Sequence, residues 1–150
     1  SGKATVIMFI CNHCPYVIHV NPEIKRLSDE YLAKGVSFIA ISSNDVNNYP
    51  DDSPYKMTKL AQQEGFNFPY LYDESQEVAK SYDAACTPDF YVFDGDLKLV
   101  YRGRIDDSRP SSGAKLNGKD LRAAIDAVLQ GKKVSEKQYP SAGCNIKWKK

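Results

Sequence analysis

Hydrophobic and polar positions along this chain follow two rhythms, and the switches between them mark its elements. Residues 5–10 (Thr-Val-Ile-Met-Phe-Ile) form a continuous apolar run rich in β-branched side chains, which predicts a central strand buried on both faces. Beyond it Val20, Ile24, Leu27 and Tyr31 recur at steps of four, three and four, laying one apolar stripe along a helix. Pro15 suits the first turn of that helix, where a missing N–H costs nothing, and Gly35 suits its end. Pro22 falls within the stripe and cannot donate to the carbonyl of Ile18, so a kink is expected there. Residues 36–41 read as a second strand, and strands joined through a helix pair in parallel.

Residues 42–52, rich in Ser, Asn, Asp and Pro, predict a loop. Ser53-Pro54 then opens a helix to about residue 63, stopped at Gly65, with Met57, Leu60 and Ala61 facing inward. A strand over 68–72 and a short helix over 76–82 follow. Residues 90–93 and 97–102, separated by Asp94-Gly95-Asp96, predict an antiparallel hairpin. Asn117 is placed to cap the last helix, with Asp120 in its first turn. The inner face of that helix is Leu121, Ala124, Ile125, Val128 and Leu129, and Gly131 closes it. The expected order is β-α-β, then α-β-α, then a hairpin and a final helix. This is an α/β domain over residues 1–131, followed by an extension over 132–150.

Composition adds mainly exclusions. A chain of 150 residues buries an adequate core without staples. Lys and Arg (20) balance Asp and Glu (19), and a net charge of +1 gives no reason to expect a nucleic-acid partner. No apolar stretch reaches bilayer length, so no membrane partner is expected. Ser1-Gly2-Lys3 runs straight into the first strand without a secretory leader, which sets a cytoplasmic location as the expectation. The four cysteines, at 11, 14, 86 and 144, are too unevenly spaced for a disulfide framework.

The close pair is the chemical signal. Thiol exchange needs one thiolate to attack and a second thiol to resolve the mixed disulfide, and Cys11-Asn12-His13-Cys14 at a strand-to-helix junction supplies both. Cys11 is expected at the helix entrance, exposed, with the helix dipole favouring its thiolate. Cys14 is expected to lie deeper and to resolve. A charged His13 between them would lower the Cys11 pKa further. Two other readings compete: a structural Cys11–Cys14 bridge, whose small loop stabilises little, and a zinc site drawn from Cys11, Cys14, His13 and His19. Zinc usually needs a second ligand pair at similar spacing, and Cys86 and Cys144 are isolated. A close Cys pair beside a β-α-β pattern therefore reads as redox, with no metal and no cofactor expected. Thr87-Pro88 stands directly before the hairpin, where a proline cannot donate to the ladder. A cis bond would fit it there and aim the Thr87 backbone, beside Asn12, at a partner. Cys86 should approach the dithiol. Cys144 either stays exposed or docks near Cys86, and both are candidate additional redox thiols.

The strand, Cys-x-x-Cys-Pro, helix and later Thr-Pro together resemble the thioredoxin superfamily, and the α-β-α insert resembles its redoxin branch. More narrowly, four strings are similar to bacterial thioredoxin-like redoxins described as thiol–disulfide isomerases or peroxiredoxin-like proteins. They are Cys-Asn-His-Cys-Pro-Tyr-Val from Cys11, Ala-Cys-Thr-Pro-Asp-Phe from Ala85, Arg-Ile-Asp-Asp-Ser-Arg-Pro from Arg104 and Gly-Cys-Asn-Ile-Lys-Trp from Gly143. The resemblance implies a thioredoxin-like fold with a central mixed β-sheet flanked by helices. It also implies Cys11 as nucleophile, Cys14 as resolver and Pro88 as a cis proline. Its expected partners are a protein or small-molecule disulfide and a redox partner that donates or accepts electrons. Members usually carry a β-hairpin ahead of the first strand, which these residues do not provide. A peroxiredoxin-like peroxidase is the alternative enzyme, but that family's Pro-x-x-x-Thr-x-x-Cys would require Thr and Pro where Met8 and Ala4 stand. The non-enzymatic alternative is a binding module with incidental thiols.

Overall fold

The chain order is β1 (Ala4–Phe9), α1 (Pro15–Leu32), β2 (Val36–Ser42), a 3-10 turn (Pro50–Asp52), α2 (Pro54–Glu64), β3 (Tyr70–Tyr72), α3 (Glu77–Ser81), β4 (Cys86–Thr87), β5 (Asp89–Phe93), β6 (Leu99–Gly103), α4 (Lys119–Leu129) and β7 (Cys144–Asn145). These elements come from a computed structural model that describes residues 3–150, so the Ser1-Gly2 lead-in lies outside the described residues. Five strands form one sheet in the order β3-β2-β1-β5-β6. β1 pairs in parallel with β2 and antiparallel with β5, which makes the sheet mixed, as expected.

The alternation of side chains along β1 sends successive residues to opposite faces. Val6 and Met8 join Val20, Ile24 and Leu27 of α1 and Leu121 and Ile125 of α4. Ile7 and Phe9 join a second cluster with Ala79 of α3, Tyr91 and Ile146. Ile146 is 3% exposed. Its burial stabilises by about 1.5–3 kcal/mol, so residues after 131 contribute to the core rather than hanging from it.

α1 spans Pro15–Leu32 with Pro22 inside it. One expectation is corrected locally. At α4 the cap position belongs to Gly118, whose backbone is left-handed, rather than to Asn117. Asn117 Oδ1 still accepts the Lys119 N–H at 3.1 Å. Asp106 Oδ2 accepts the N–H groups of Asn117 and Gly118 at 2.9 and 2.7 Å. A buried carboxylate from the preceding loop thus substitutes for the missing side-chain cap.

β4 and β7, two residues each, carry no signal of their own in the sequence. They pair antiparallel, with Cys86 opposite Asn145 and Thr87 opposite Cys144. Gly143 is required beside them, because a Cβ there would fall on the Thr87 carbonyl.

Candidate redox site

Pro15 at the first helical position fixes where α1 begins and makes Cys14 its N-cap. The Cys14 carbonyl accepts the N–H groups of Val17 and Ile18, both at 3.0 Å. Cys11 therefore lies three residues ahead of the cap, not at the helix entrance, and gains less from the dipole than the sequence led one to expect. It is 1% exposed. Burial first, and then the charge of Asp52, raise its pKa, against smaller lowering contributions from Thr87 and the backbone N–H groups of Cys14 and His13. The exposed, low-pKa thiolate expected from the sequence is not the state of Cys11 here.

Cys14 is bonded to Cys144 across 130 residues, with a Cα–Cα distance of 6.3 Å. Cys11 and Cys86 are free. The pairing of Cys14 with Cys11 expected from their spacing is thus replaced by one with the tail. The physical cause is β7, which pairs with β4 and brings Cys144 alongside Thr87. The Thr87–Pro88 peptide bond is cis. Cys11 Sγ lies 3.5 Å from Thr87 Oγ1, and Cys14 Sγ lies 3.6 Å from the Thr87 carbonyl oxygen. Pro88 also borders a narrow cleft with Tyr16, His19, Arg109 and Ser141.

Cys86 stands one residue from this convergence and outside the bond. Its Sγ faces the carbonyls of Pro88 and Ser141 at 3.9 and 4.0 Å. Burial, followed by the Asp89 charge, pushes its pKa up to about 11, which keeps it a neutral thiol at physiological pH.

Asp52, which the sequence did not single out, organises the segment between Cys11 and Cys14. It is fully buried. Its Oδ1 accepts the backbone N–H groups of Asn12 and His13 at 2.8 and 3.2 Å. Its Oδ2 lies 2.6 Å from His13 Nδ1 and accepts Asn44 Nδ2 at 2.9 Å. The His13 ring also stacks on Tyr49, with 5.8 Å between centroids. Asn12 is held at both ends of its amide: Nδ2 donates to the Asp51 carbonyl and Oδ1 accepts from the Tyr70 hydroxyl, each at 2.9 Å. Its side chain thus fastens the 3-10 turn instead of standing open to a partner. Nothing in Pro50-Asp51-Asp52 distinguishes the buried aspartate from the exposed one, because both belong to a polar loop.

Ligand-type atoms of Cys11, His13 and Asp52 lie within 4.8 Å of one another, near enough for one cation. The Asp52 oxygens already hold four hydrogen bonds, however, and a metal would have to displace some of them. Of the other two residues considered for zinc, Cys14 is in the disulfide and His19 Nε2 is bonded to Ser108 Oγ at 3.0 Å.

The sequence profile of the Redoxin family matches residues 1–118. The chain belongs to the Redoxin family. This redoxin is similar to an uncharacterized conserved protein from Geobacillus kaustophilus at 64% identity and TM-score 0.97, covering 99% of this chain and 79% of that one. It is also similar to a hypothetical protein from Sinorhizobium meliloti at 45% identity and TM-score 0.97, covering 98% and 80%. A secreted disulfide oxidoreductase from Mycobacterium tuberculosis shares the fold alone, at 15% identity and TM-score 0.61, covering 86% of this chain and 81% of that one. No protein of curated function matches the chain. The thioredoxin-like fold expected from the sequence is the fold observed.

Proposed function

We propose that this redoxin is a thiol–disulfide oxidoreductase acting on protein substrates, with Cys11 as the attacking thiol and Cys14 as the resolving one. The observation that carries the reading is the convergence at Thr87. A free thiol and a disulfide sulfur, three residues apart, pack on its hydroxyl and its carbonyl directly before a cis proline. Family membership and the fold shared with a disulfide oxidoreductase support it.

In the exchange, the Cys11 thiolate attacks one sulfur of a substrate disulfide and expels the other as a thiolate. Cys14 then attacks the Cys11 sulfur, closing a Cys11–Cys14 disulfide and releasing the reduced substrate. The described form, with Cys11 sealed and Cys14 already bonded, is an oxidised resting state, and the attacking form is the reduced one. His13 tunes Cys11 indirectly, because its ring shares the carboxylate whose charge raises that thiol.

The test is reduction of insulin disulfides with a small dithiol as electron donor. Cys11→Ser is expected to abolish turnover, and turnover at the wild-type rate would refute the assignment.

A further inference from the structure

We propose that Cys144 is a third redox thiol, which takes the disulfide over from Cys11–Cys14 and returns Cys11 to the free state. This rests on the exchange reading above and extends it to the tail. Cys14 has one sulfur, so its bond to Cys144 excludes a bond to Cys11, and the two disulfides are alternatives for the same atom. Both rival sulfurs belong to segments held on Thr87: Cys11 touches its hydroxyl and Cys144 is its partner across the β4–β7 ladder.

Cys144 is not a chance neighbour. Gly143 admits the tail against the Thr87 carbonyl at a distance no side chain would tolerate. The Ile146 N–H donates to the Ala85 carbonyl at 3.0 Å, and its side chain is in the second core. Asn44 Oδ1 accepts the Lys147 N–H at 2.8 Å, and the Lys147 carbonyl accepts the Asp45 N–H at 2.7 Å and Gln76 Nε2 at 2.9 Å. These bonds grip the tail just beyond Cys144, and with Gly143 packed on Thr87 they hold its thiol at Cys14. Cys86 has no such place in the sequence of transfers, since it sits opposite Asn145 with its sulfur directed at carbonyl oxygens.

The transfer balances without a further reagent. After the substrate has been reduced, the Cys144 thiolate attacks the Cys14 sulfur of the Cys11–Cys14 bond. A Cys14–Cys144 bond forms, the Cys11–Cys14 bond breaks, and Cys11 leaves as a thiolate that takes up a proton. Two electrons have by then passed from the protein to the substrate disulfide, and the protein's oxidised pair is Cys14–Cys144. A dithiol reductant restores the starting state by giving two electrons and two protons to that bond and itself becoming a disulfide.

The experiment follows the bonds in time. Fully reduced protein is mixed with one equivalent of a disulfide-bridged peptide, quenched in acid, alkylated and mapped by mass spectrometry. The relay predicts a Cys11–Cys14 disulfide that forms first and decays into Cys14–Cys144 with Cys11 alkylated. In Cys144→Ser the reaction is expected to stop at Cys11–Cys14. In Cys11→Ser the Cys14–Cys144 bond is expected to form at least tenfold more slowly. A wild-type end state of Cys11–Cys14 with Cys144 free would overturn the relay and leave the exchange reading standing. Cys14–Cys144 forming at the wild-type rate in Cys11→Ser, with the peptide reduced in step, would overturn both the relay and the assignment of Cys11 as the attacking thiol. A wild-type protein inert toward the peptide would overturn both readings.

Discussion

Asp52 is bonded to His13 twice: Oδ1 accepts the His13 backbone N–H at 3.2 Å, and Oδ2 lies 2.6 Å from the ring Nδ1. The residue expected from the sequence to act on Cys11 directly is therefore engaged with a buried carboxylate that acts on Cys11 itself. The two partners should be separable by the sign of their effects.

Asp52→Asn removes the charge that stands second, after burial, among the causes raising the Cys11 pKa. Its alkylation profile should shift to lower pH. His13→Ala leaves that charge less compensated and should shift the profile to higher pH. The amide of Asp52→Asn also turns a donor toward groups that were donating to the carboxylate, which costs about 1–3 kcal/mol and should lower the denaturant midpoint. Rates of iodoacetamide labelling at Cys11 against pH check both variants. Shifts in the same direction for the two would contradict the assigned roles.

Cys86 makes stability depend on pH in the alkaline range. Its folded pKa is raised from an ordinary 9.0 to about 11, so the folded chain holds the proton more tightly than the unfolded one. The contribution is complete below pH 9.0 and is lost as pH rises through about 11. Cys11, also raised, adds in the same direction. Denaturant midpoints of the wild type should fall more steeply across this window than those of Cys86→Ala, whose packing loss does not vary with pH. Parallel curves would mean that the Cys86 thiol is not held protonated by its surroundings.

Ile146 joins the tail to the second core, and Ile146→Ala should destabilise the protein by about 2–5 kcal/mol. In the reduced protein, where no disulfide retains the tail, the same change should speed proteolytic cleavage within residues 132–150. An unchanged denaturant midpoint would show that the tail is not part of the cooperative structure.

The elements with a strong period of their own were legible. β1 and α1 could be placed within a residue or so because an apolar run and an apolar stripe each predict one kind of structure. The dithiol was visible for the same reason, as a local pattern at a junction. β4 and β7 carry no period in two residues, and each exists only because the other pairs with it. Local pattern could not identify the partner of Cys14 either, since 130 residues separate it from Cys144 and only the folded tail brings them together. Asp52 was hidden for a third reason. A polar loop is expected to be solvated, and its burial depends on four donors from three separate residues meeting at one carboxylate.

The central claim is that Cys11 is the thiol that attacks a substrate. In Cys14→Ser/Cys144→Ser protein no resolving thiol remains, so a substrate sulfur captured by Cys11 should stay there. Incubation with a disulfide-bridged peptide, followed by intact-mass and peptide mapping, should find the peptide bonded to Cys11. A peptide bonded to Cys86 with Cys11 unmodified would contradict the account.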